Sequence, residues 1–177
     1  MVDTALLMAG VLVAGIYFDG AGGEEAQIRK LSEGLYARVD WPWAHGKHAA
    51  LRQGWKPKSG FLHYGWDGYN EATILHVLAV AAPSNPILDK CYAGWTATYQ
   101  WENIYGYDVL YGGPLFMHQF SHAWIDYEGI RDDFMREKNS DYFEKQPPID
   151  LCPPRICPAQ PLRLSGVRRE SVGSLSE

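Results

Sequence analysis

Neither GxGxxG nor a P-loop, GxSxG or HExxH stands in the 177 residues. Dinucleotide enzymes, P-loop nucleotide hydrolases, elbow-type serine hydrolases and zincins are thereby set aside. Basic residues are outnumbered: 16 Lys and Arg stand against 21 Asp and Glu, for a net charge of -5. A domain gripping nucleic-acid phosphates needs a basic face, which this balance does not supply. Cysteine is sparse, and Cys91, Cys152 and Cys157 make neither a metal spacing nor an even disulfide set, so they leave the compartment open. No apolar run is long enough for a span. The stretch from Ala5 to Phe18 falls short of the roughly 20 residues a membrane helix needs. Asp3 also stands where a signal peptide would be positive, and the first basic residue is Arg29.

What is present is apolar and aromatic: 46 % hydrophobic residues and 14 % aromatics, enough for one domain with a real core. The pattern is helical. Asp3-Thr4 can cap a helix through "ALLMAGVLVAGIYF", apolar on nearly every face and so expected to be covered on more than one side. Ile28, Leu31, Leu35 and Val39 mark an amphipathic outer helix. From Trp41 to Gly68 the periodicity fails among Trp, Gly and Pro, predicting loops and one short hairpin. Helices are expected from near Asn70 to before Pro83, over Lys90 to Thr98, from Pro114 through "LFMHQFSHAWI", and through "YEGIRDDFMREK" to about Lys138. An irregular Tyr- and Gly-rich stretch lies between the second and third of these.

The composition then changes. All 24 aromatic residues lie at or before Phe143, and six of the 11 prolines fall between Pro147 and Pro161. Residues 145–177 are therefore expected to be a disordered tail unlike the domain before it.

Two groups of residues carry chemistry. His118 and His122 share one helical face at i, i+4, but no third ligand accompanies them, so polar contacts in a crowded cleft are expected rather than a metal. Aromatics interleaved with Asp, Glu, Asn and His suit carbohydrate, since flat rings stack on sugar faces while short polar chains meet hydroxyls. Tyr64, Trp66 and Tyr69, in a glycine-rich loop, are the candidates for that role. Glu71 follows them where the loop becomes a helix, and a glutamate there also suits the helix dipole, as Asp3 does.

"VDTALLMAG", "GWKPKSGFLHYGWDGYNEATILHVLA" and "AGWTATYQWENIYGYDVLYGGPLFMHQFSHAWIDYEGIRDDFMREKNSDYFE" resemble, in order, the glycoamylase-like family. That family includes bacterial endo-β-1,2-glucanases and is related to a domain of cyclic β-1,2-glucan synthases. The resemblance spans residues 2–144. It implies an all-α fold, a partial (α/α)6 toroid with about half of its helix pairs and irregular aromatic-rich loops. It implies glycoside hydrolysis with inversion by two carboxylates, the acidic position of "V-[DE]-T" falling on Asp3 and that of "Y-[ND]-E" on Glu71. Glu71 is the expected acid and Asp3 its partner, with a carboxyl separation of roughly 6.5 to 9.5 Å. Tyr64, Trp66, Tyr69, Trp95, Tyr99, His118, His122, Trp124 and Asp126 are the expected glucan contacts. No cofactor is expected.

The resemblance also implies departures. Relatives carry earlier helices and a further acidic residue upstream of Asp3, and after Glu144 they continue with an Asn-Ser-Arg-Arg segment. One permitted set of codons for residues 144–161 restores that segment on loss of a single A, so a frameshift is the expected origin of the tail. The chain by itself is expected to be inactive. Two other readings stand beside the truncated hydrolase: a non-catalytic carbohydrate-binding fragment, and a glycosyltransfer domain of a cyclic β-1,2-glucan synthase.

Overall fold

The computed structural model describes residues 1–46, 48–104 and 106–144. The expected domain boundary at 144/145 and the frameshifted tail lie outside them.

The chain opens with two packed helices, α1 (Val2–Tyr17) and α2 (Gly23–Ala37). Asp3 lies in the first turn of α1 and does not cap it; Met1 occupies the cap position. The helix pair meets through small residues. Ser32 Oγ donates to the Val11 carbonyl at 2.7 Å, and a Cβ at Gly15 would stand 2.7 Å from the same Oγ. Close packing of this kind shifts the expected face, although Ile28 and Val39 of the stripe stay partly buried. α2 buries Ser32 and Tyr36, while Leu31 of its apolar stripe is 57 % exposed. α1 fully buries Ala5, Met8 and Ala9, with Leu6, Val11 and Leu12 partly buried against the same core, while Ile16 is 77 % exposed. Among the described residues no helix is long and apolar enough to cross a membrane.

α3 (Trp41–His45) is capped by Asp40, whose Oδ1 accepts the Trp43 amide at 2.9 Å. A short antiparallel hairpin follows, β1 (Trp55–Lys56) with β2 (Gly60–Phe61), turning at Gly60 with φ +74°. Its arms run on as a ribbon: Gln53 N–H donates to Tyr64 O, and Trp66 N–H to Leu51 O. That ribbon delivers the chain to α4 (Thr73–Val80), and α5 (Asp89–Thr96) comes after the Pro-rich turn.

The stretch expected to be irregular forms a second hairpin, β3 (Gln100–Ile104) with β4 (Tyr107–Tyr111), in the register Gln100↔Tyr111 to Ile104↔Tyr107. The fold is helix-rich but not all-α. Cross-strand pairs such as Trp101↔Leu110 supply the stabilisation that helical periodicity does not register. α6 (Leu115–Gln119) starts after Pro114, which sits at the cap rather than in the first turn, and a 3₁₀ turn covers Ser121–Ala123. The long last helix shrinks to α7 (Asp133–Glu137). Gly129, at φ +74°, breaks the preceding segment, and Asp132 Oδ1 starts the helix anew by accepting the Met135 amide at 2.8 Å.

Two apolar clusters result. The first joins α1, α3 and α4 through Ala5, Met8, Trp41, Ile74 and Leu75; the second gathers Tyr69, Leu110, Tyr127, Met135 and Tyr142. Ile125 packs against both, and the loop ending at Glu71 runs between them.

Candidate active site

The loop from Gly65 to Glu71 is held by side chains from three directions. Trp95 Nε1 donates to Gly68 O at 3.0 Å, and Thr98 Oγ1 accepts the Gly68 amide at 2.6 Å. Asn70 folds back on the loop, its Nδ2 donating to Asp67 O and Gly68 O while its Oδ1 accepts the Ala72 amide at 2.8 Å. An Asn in this role satisfies amides that the helix start leaves open, which is why α4 begins at Thr73 and not at Asn70. Glu71 accordingly stands in the turn before the helix.

Ser121 completes the clamp. Its Oγ donates to the Glu71 carbonyl and accepts the Ile74 amide, each at 3.0 Å. Ser121→Ala strands both groups and should cost about 2 kcal/mol, from roughly 1 kcal/mol per buried bond. Thermal unfolding of the two proteins checks this, and an unchanged midpoint would show that Ser121 is dispensable.

With its backbone fixed, the Glu71 side chain is half-buried, and its Oε2 is removed from solvent with no hydrogen-bond partner. Burying a polar atom unpaired is costly, and such atoms are few in folded proteins. His118 Nδ1 and, on the loop itself, Trp66 Nε1 are also buried without a partner, as are atoms elsewhere in the core such as Trp41 Nε1.

Asp3 sits exposed in the first turn of α1, which packs on α4. The α1 terminus is tied to the ribbon, with the Met1 ammonium donating to Gln53 O at 3.0 Å. Asp3 and Glu71 thus stand at the N-terminal ends of two helices in contact.

The expected glucan contacts divide. Tyr64 is 72 % exposed on the ribbon, Trp66 is partly buried against the first cluster, and Trp124 and Asp126 are exposed beyond the 3₁₀ turn, Asp126 accepting the Glu128 amide. Tyr69 is a core ring, 5.0 Å from His118 and 5.8 Å from Tyr99, and Tyr99 is half-buried beside it. Trp95 has no exposed surface at all: it stacks on His76 at 3.7 Å with ring planes 2° apart. As placed, Tyr69 and Trp95 support the loop and offer no open face for stacking. His122 packs on Tyr127 at 4.5 Å, and His118 is buried. Among residues without an assigned role in the sequence, Asn70 carried a legible signal as an Asn before a helix; Ser121, fifty positions from Glu71, carried none.

Burial holds both interior histidines neutral. His76 is lowered to about 3, chiefly by desolvation; its Nδ1–H donates to Ala72 O. His118 is lowered to about 4 by burial and then by the adjacent His122. The unfolded imidazoles take up protons near 6.5, so the stabilisation is complete above that pH. It is lost as pH falls from about 6.5 towards 4 and 3, by about 1.4 kcal/mol per pH unit for each ring. Urea midpoints should therefore drop steeply between pH 6.5 and 4.5, and a flat profile would contradict the neutral assignment.

Comparison with known proteins places these features. The family model described as Glycoamylase, putative glucoamylase, matches residues 63–173. The chain is 26 % identical to an exo β-1,2-glucooligosaccharide sophorohydrolase (non-reducing end) from Parabacteroides distasonis, over 89 % of this chain and 25 % of that protein. Among solved structures, an endo-β-1,2-glucanase from Chitinophaga pinensis in complex with sophorotriose and glucose superposes with a TM-score of 0.71 at 26 % identity, covering 81 % of this chain and 36 % of that one. A putative glucoamylase from Bacteroides fragilis superposes with a TM-score of 0.67 at 30 % identity, over 81 % and 36 % of the two chains. The chain thus spans about a quarter to a third of the length of these relatives.

Proposed function

Because the chain belongs to the putative glucoamylase family, we propose that it is part of a glycoside hydrolase acting on a β-1,2-linked glucan by inversion, with Glu71 as acid and Asp3 as its partner. α1 and α4 then serve as inner helices of an (α/α)6 toroid of which the described residues form a part. The observation that carries the reading is Glu71 Oε2: buried, without an intramolecular partner, on a turn clamped from both sides. That oxygen is available to a substrate oxygen.

The chemistry follows from the two positions. The Glu71 carboxyl donates its proton to the glycosidic oxygen as the bond to the anomeric carbon breaks. Asp3 takes a proton from the water that attacks that carbon on the opposite face, leaving the product inverted. The sophorose-based names of the relatives support β-1,2 linkage over the α-linkage that the family description suggests. A toroid stabilises itself by closing its ring of helices, and the outward apolar residues Leu31 and Ile16 suit surfaces that such a ring covers. The chain by itself is accordingly inactive in this reading.

The test compares two proteins, the chain as given and one extended to the full length of its relatives, on β-1,2-glucan and on malto-oligosaccharides. Release of β-1,2-linked oligosaccharides by the extended protein alone is expected. Turnover of malto-oligosaccharides instead would overturn the linkage, and turnover by the chain as given would overturn its dependence on the missing helices.

A further inference from the structure

Asp67, four residues before Glu71, faces a second feature of the same loop. A cavity of about 360 Å³ lies where the loop meets the open end of the β3–β4 hairpin and the turn after it, lined by Asp67, Tyr69, Gln100, Tyr111, Gly112 and Met117 among others. Its size is at the small end of ligand sites, suited to one sugar ring.

Its polar groups are uncommitted. Gln100 and Tyr111 are directly paired across the hairpin, so their side chains share one face; both are exposed, and neither side chain makes a hydrogen bond in the described structure. Asp67 is half exposed, and the ring closest to pairing with it is His48, with Nδ1 at 4.0 Å. That nitrogen also accepts the Ala50 amide at 3.2 Å. No closer side-chain partner stands against the Asp67 carboxylate among the described residues. By contrast the Thr98 hydroxyl is fully engaged, accepting from Gly68 and donating to the Trp95 carbonyl at 2.6 Å, and serves only as wall. Gly112 also lines the cavity, and packs so closely that a Cβ there would stand 2.9 Å from Tyr69 Cδ1 and 3.0 Å from His118 Nε2.

We infer that this cavity is a subsite for one neutral glucosyl unit of the glucan, with Asp67 and Gln100 meeting its hydroxyls and Tyr111 flanking the ring. The inference rests on the proposed glucan reading and extends it to substrate selection. A half-exposed carboxylate can accept two hydroxyl donors from adjacent carbons of a sugar, and it disfavours a phosphorylated or uronic acid unit. The loop that carries Asp67 ends at Glu71, so a chain bound here is led towards the proposed acid.

Titration calorimetry of the full 177-residue chain with sophorotriose tests the subsite. Asp67→Ala and Tyr111→Ala should each weaken binding by about tenfold or more, and Gln100→Ala by less. All three side chains are exposed, and near-ultraviolet circular dichroism verifies that the variants fold. Unchanged affinity in all three, or no binding by the wild-type chain up to roughly 10 mM, overturns the subsite. The two readings fail separately. Loss of hydrolysis in Glu71→Gln of the extended protein with unchanged sophorotriose affinity in the cavity variants removes the subsite alone; weakened binding in those variants with no hydrolysis by any extended protein removes the catalytic role and leaves the subsite standing.

Discussion

Glu71→Gln should reduce kcat on β-1,2-glucan by about a thousandfold in the extended protein while leaving substrate affinity nearly unchanged. The substitution keeps the shape of the side chain and removes only its ability to give up a proton, a function worth roughly 10² to 10⁴ in rate. Folding should be untouched, because the clamp from Ser121 grips the backbone of residue 71 and its side-chain Oε2 has no internal partner to lose. Activity above about a tenth of wild type would remove Glu71 from the reaction. Binding that survives in both proteins, with no turnover in either, would instead favour the non-catalytic carbohydrate-binding reading.

Trp95→Ala should have the largest effect on stability, about 3 to 5 kcal/mol. The ring has no exposed surface, lies flat on His76, and meets Tyr92 and Tyr99 edge-on at 5.4 and 5.0 Å. Its indole N–H is also the donor to Gly68 O. Truncation therefore leaves a cavity, an unpaired carbonyl and an exposed face of His76 together. Domains of this kind hold only about 5 to 15 kcal/mol in total, so the variant should unfold at much lower urea. Trp95→Phe separates the causes, since it keeps most of the packing and loses the hydrogen bond, at a cost of about 1 to 3 kcal/mol. Equal midpoints for Trp95→Ala and wild type would mean that the ring is not part of the cooperative core.

The supporting role of Trp95 was not legible beforehand, and the reason is general to this chain. Aromatics of one glycine-rich loop read alike whether they face a ligand or the interior; Tyr64 and Tyr69, five residues apart in that loop, differ in exposure from 72 % to 5 %. The same holds for α2. Its apolar period marked a helix correctly, but the close contact at Gly15 and Ser32 decided which face turned inward. The β3–β4 hairpin escaped because its stability resides in pairs such as Trp101↔Leu110, residues nine apart that only meet once the chain has turned.

Local chemistry settled a good deal. Proline marks the end of α4 and the start of α6 to within a few residues, and Tyr-Asn-Glu marks the position of Glu71, because capping and turn preferences act over three or four residues and need no partner from elsewhere. Tertiary structure alone decided what holds and surrounds that glutamate: Ser121 from fifty residues away, Trp95 and Thr98 from behind, and Gln100 and Tyr111 across a hairpin. Side chains so far apart in sequence meet only through the packing of the two apolar clusters, and a buried oxygen left without a partner is a property of that packing, not of any residue type.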